Sequence, residues 1–134
     1  MRRTRSRVVS SRLRALAVTL LFALLSPAAL AQAPPEIEAT MKKMLAAVQS
    51  GSLADFVAAG DAELKAGMTK PMLDSLSREL APRLRLGYTA AFLGRLNQEG
   101  FTVYLWKLEF QDGKDDVLVT LAVKGGLVGG FVLS

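Results

Sequence analysis

Residues 101–133 read FTVYLWKLEFQDGKDDVLVTLAVKGGLVGGFVL, and their two-residue period sets the architecture. Apolar and aromatic side chains alternate with smaller or polar ones, the pattern of half-buried strands. Asp112-Gly113 and Gly125-Gly126 interrupt it, and such dipeptides tolerate the positive φ of two-residue hairpin turns. With Tyr88 onward included, four strands are expected over about 87–96, 101–110, 115–124 and 127–133. The connection at Asn97-Gln98-Glu99-Gly100 is longer and leaves the first register open.

The two tight turns allow the remaining registers to be computed. If Gln111 faces Lys114, then Leu108 faces Val117, Trp106 faces Val119 and Tyr104 faces Leu121. If Lys124 faces Leu127, then Val119 faces Val132 and Leu121 faces Gly130. One face then carries Tyr104, Trp106, Leu108, Val117, Val119, Leu121, Val123, Val128 and Val132, an unbroken apolar surface suited to packing on helices. The other carries Val103, Leu105, Leu118, Phe131 and Leu133 among Lys107, Glu109 and Thr120. A solvated back face should be mostly polar. This one is half apolar and calls for a cover.

Upstream of the sheet the period is helical. Ile37, Met41, Met44, Leu45 and Val48 form one stripe, which Gly51 closes. Ser52, with Asp55 three residues on, opens a second stripe through Leu53, Phe56, Val57 and Leu64. That stripe is interrupted near Gly60-Asp61, so it is one broken helix or two short ones, ending at Gly67. Thr69 caps a third helix carrying Met72, Leu73, Leu76 and Leu80, with Pro82 expected to kink or end it. The fold class is therefore α+β: about three N-terminal helices on a four-stranded antiparallel sheet, as one domain over 36–134 after a linker at 32–35.

Residues 1–31 have a different character. Six arginines precede an apolar run, Ala15 to Leu25, and Ser26-Pro27-Ala28-Ala29-Leu30-Ala31 follows. This is the layout of a secretory signal peptide cleaved near Ala31, placing the mature chain in the periplasm or outside the cell. The run is too short to span a bilayer, which needs about 20 apolar residues. Contact with a membrane is expected only if the segment stays uncleaved. The chain's formal charge of +5 comes from this segment, which holds six of the seventeen basic residues and no acidic one. Beyond it, eleven basic residues face twelve acidic ones, and the support for nucleic-acid binding goes. Cysteine and histidine are absent, which removes disulfides, thiolate nucleophiles and the commonest general base. No cofactor is implied.

The element order resembles the nuclear-transport-factor-2-like, or cystatin-like, α+β cone superfamily, in particular its small exported members of unknown function. The cues are Gly87-Tyr88, Tyr104-Leu105-Trp106-Lys107-Leu108, the Asp112-Gly113-Lys114-Asp115-Asp116 turn and Gly126-Leu127-Val128-Gly129-Gly130-Phe131. The resemblance implies a scaffold that hosts isomerases, dehydratases, binding modules and dimerisation domains. Its dehydratases use histidine, which this chain lacks, and no isomerase aspartate and tyrosine can be matched here.

Two site readings follow. Tyr88, Tyr104 and Trp106, with room left by Gly130, would line a small apolar pocket with a hydroxyl handle; the simpler reading makes the aromatics core. Val103, Leu105, Leu118, Phe131 and Leu133 would form an interface, with a second copy as partner. The Asp112, Asp115 and Asp116 cluster reads as a solvated turn, and Met41, Met44, Met68 and Met72 as packing, so no metal site is expected. The leading expectation is a non-catalytic binding or interaction domain that dimerises through the sheet. The alternative is an apolar-ligand binder or isomerase-like enzyme using the cone interior.

Overall fold

The first helix among the described residues, α1 (Pro35–Ser50), starts where proline fits best, at a position whose N–H needs no partner. Glu36 and Glu38 lie in its positive first turn, and Met41, Met44, Leu45, Ala47 and Val48 are buried along one stripe. It ends at Gly51, whose φ of 70° lets the chain turn back so that the Ser52 N–H donates to the Ala47 carbonyl at 3.0 Å. In this computed structural model residues 32–134 are described, and they form one compact unit. The export signal read over 1–31 lies outside the described residues. The expected linker is shorter than 32–35, because Pro35 is helical and Ala33 is already buried in the core.

The second stripe resolves into two short helices, α2 (Leu53–Val57) and α3 (Ala62–Gly67). Ser52 caps the first by accepting from the Asp55 N–H at 3.3 Å, and Asp61 caps the second by accepting from Leu64 at 2.8 Å. A backbone exchange with Val128 separates them: Asp61 N donates to Val128 O at 2.9 Å, and Val128 N to Ala59 O at 2.8 Å.

Thr69 caps α4 (Lys70–Leu86), so the helix does not end at Pro82 but runs on to Leu86. Pro82 and Arg78 are both exposed, so the carbonyl deprived of its donor lies on the wet side of the helix. The last turn is held by burial of Leu80, Ala81 and Leu84. Arg83 also anchors it, stacking 4.0 Å above the Phe110 ring.

Four antiparallel strands follow in sequential order: β1 (Tyr88–Gln98), β2 (Phe101–Phe110), β3 (Val117–Lys124) and β4 (Leu127–Leu133). The fold is thus α+β, with four helices preceding the sheet among the described residues. Glu99 and Gly100 alone join β1 to β2, both with positive φ, so the first hairpin is tighter than expected. Between β2 and β3 the expected register holds, with Trp106 opposite Val119 and Tyr104 opposite Leu121. Pairing stops at Leu108 and Val117, however, and the connection is wider than two residues. Arg83 draws it aside: Nε donates to Asp112 Oδ2 at 2.7 Å and Nη2 to the Asp115 carbonyl at 2.6 Å. The Arg83 hydrogen bond, aided by the Lys114 N–H, holds the Asp112 carboxyl below the usual carboxylate range. Asp112 is therefore not the solvated turn residue expected.

The β3–β4 register needs a larger correction. Lys124 faces Leu127 and Val123 faces Val128 as expected, but a bulge then puts Ala122 opposite Gly130 and Leu121 opposite Phe131. A one-residue slip exchanges the faces of everything beyond it. Phe131 and Leu133 pack against the core, Phe131 edge-on to Phe56 at 5.5 Å, and Val132 points away and is 55% exposed. The bulge sits at Gly129, where a Cβ would overlap the Phe101 ring and come 3.1 Å from Asp61 Oδ2. Gly129→Val is expected to cost about 1–3 kcal/mol by overpacking. Gly130→Ala, whose Cβ would meet only Ala122 at 3.7 Å, should cost much less. Urea unfolding of the pair checks this; equal losses would refute the assignment.

Candidate functional site

Two surfaces were expected to carry function, and the register shift changes both. On the core face, β1 and β2 bring three aromatic rings together, and α1 reaches them through Glu38. Phe92 lies 5.5 Å from Trp106 and 6.5 Å from Tyr104, and Tyr104 lies 6.2 Å from Trp106. Tyr88 is further along β1, half-buried against Phe110 at 6.2 Å. Trp106 is fully buried and Tyr104 is 7% exposed. Gly130 is not part of this group. It sits on the opposite face beside Ala122, and Phe131 fills the core position next to Leu121. The space that Gly130 was expected to leave beside Tyr104 is thus occupied.

The polar partner of this cluster is Glu38. Trp106 Nε1 donates to Glu38 Oε2 at 3.0 Å, and the Lys42 ammonium lies 3.7 Å from Oε1. The cluster therefore has an acid at its edge that the sequence reading did not single out. Its signal was present, since positions 38, 41, 45 and 48 recur at helical spacing and Glu38 continues the stripe of Met41, Leu45 and Val48. Chemically the carboxylate is already committed to an indole and an ammonium. Glu38→Ala should strand the buried indole N–H and cost about 1–3 kcal/mol, while Glu38→Gln, which keeps an acceptor, should cost less. Trp106 is the sole tryptophan, so a fluorescence-monitored denaturation curve reads it directly.

Burial, and secondarily the Glu38 carboxylate, push the Tyr88 hydroxyl above the ordinary tyrosine value of 10.0. The folded state then keeps a proton that the unfolded chain releases. Stability contributed by the neutral Tyr88 is complete below the unfolded value and is lost as pH rises through the higher folded value. The difference in tyrosinate absorbance between the parent and Tyr88→Phe isolates the Tyr88 hydroxyl, and it should develop above the ordinary tyrosine value. A difference signal centred at or below the ordinary value would contradict the placement.

The back of the sheet is the second surface. Three register rows cross it: Leu96, Val103, Ala122 and Gly130; Gly94, Leu105, Thr120 and Val132; and Ala91, Lys107 and Leu118. Leu96 is 42% exposed and Leu118 37%, and Leu105 is half-buried. Val103 is buried without belonging to the core cluster. Of the five residues expected on this face, Val103, Leu105 and Leu118 are there. Phe131 and Leu133 have moved to the core, and Val132 and Leu96 take their place. Lys107 and Glu109 form an ion pair beside the apolar rows.

No protein-family model matches this chain, and no curated protein does. The surfaces therefore have to be weighed on their own chemistry. Asp112 is spent on Arg83, and among the described residues no cluster of three acidic side chains could hold a metal ion.

Proposed function

We propose that this chain is an exported, non-catalytic binding domain of the nuclear-transport-factor-2-like, cystatin-like type, which pairs with a second copy through the back of its sheet. The observation that carries the proposal is the exposure of Leu96, Val132 and Leu118, one in each of the three rows about the half-buried Leu105, on a face outside the core. Large apolar side chains left exposed together on one sheet face mark an interaction site. Both sheet edges are poorly suited to pairing, which favours the face. The β4 edge is bridged at Val128 by Ala59–Asp61, and β1 carries a bulge beside Gly94, followed by the exposed Arg95.

A two-fold pair uses the same patch twice, so the patch must tolerate itself. The Lys107–Glu109 pair supports this, because its charges offset each other and no net charge is carried into the contact. Sedimentation of the purified chain over a concentration series tests the pairing: a reversible dimer supports it and a monomer throughout would refute it. The export part of the proposal rests on the composition of residues 1–31, and mass analysis of the exported chain should find Gln32 at its N-terminus. The apolar-ligand or isomerase-like alternative has less support, since Tyr104 and Trp106 are sealed by their neighbours and Glu38 is paired.

A further inference from the structure

We draw no further inference here: the strongest candidate, the open groove of about 240 Å3 between α4 and the ends of β3 and β4, where Leu76, Leu80, Val117 and Leu133 are flanked by Glu79, Arg83 and Ser134, is an unpartnered surface and nothing in the structure shows what covers it.

Discussion

Trp106→Ala is expected to destabilise the domain by about 3–5 kcal/mol, the range for removing a fully buried large aromatic side chain. Domains have about 5–15 kcal/mol in total, so the variant should be marginal at room temperature. At about 4–8 °C per kcal/mol for a domain near this size, its melting point should fall by roughly 15–30 °C. The position explains the magnitude. Trp106 is fully buried in the second of four strands, pairs with Phe92 and Val119 on either side, and reaches α1 through Glu38. Trp106→Phe keeps a ring and gives up the indole N–H, so it should lose clearly less. A thermal melt of Trp106→Ala within a few degrees of the parent would mean that the helices do not close over this ring.

Leu118→Asp is expected to convert the proposed dimer to monomer while leaving the fold intact. Leu118 stands on an inner strand but is 37% exposed on the back, outside the core cluster. A carboxylate there remains hydrated in the monomer and costs little. In the paired state the two-fold presents it twice, and each copy would lose its water against apolar surface. A weakening of at least about 100-fold is expected, which corresponds to roughly 2.7 kcal/mol. Light scattering should report a single-chain mass at concentrations where the parent is dimeric, with an unchanged melting curve at high dilution. A dimer of undiminished stability would move the interface off this face.

Much of the fold was legible because its signals are local. Ser52 and Thr69 cap helices, Gly51 ends one, and Gly125-Gly126 turns a hairpin through chemistry confined to a few neighbouring residues. The β2–β3 register also followed from setting Gln111 opposite Lys114, although the pairing itself ends at Leu108 and Val117. Features set by distant residues were not legible. The Gly129 bulge answers to Phe101 and Asp61, and it reversed the faces of Phe131, Val132 and Leu133. Pro82 stays helical because Leu84 is buried and Arg83 reaches a loop 29 residues away. The Glu99-Gly100 turn was hidden because glutamate seldom adopts positive φ. At the candidate sites the aromatic cluster was legible as three strand positions. Glu38 was passed over because a charged residue within an apolar stripe reads as its flank.

Contact between copies at the back of the sheet can be observed atom by atom. Equal amounts of methyl-labelled and unlabelled chain should be mixed, and intermolecular nuclear Overhauser effects recorded from the labelled methyls. The account predicts such effects at Leu105, Leu118 and Val132. Their absence there, or their appearance only at the β1 edge or along α4, would contradict it.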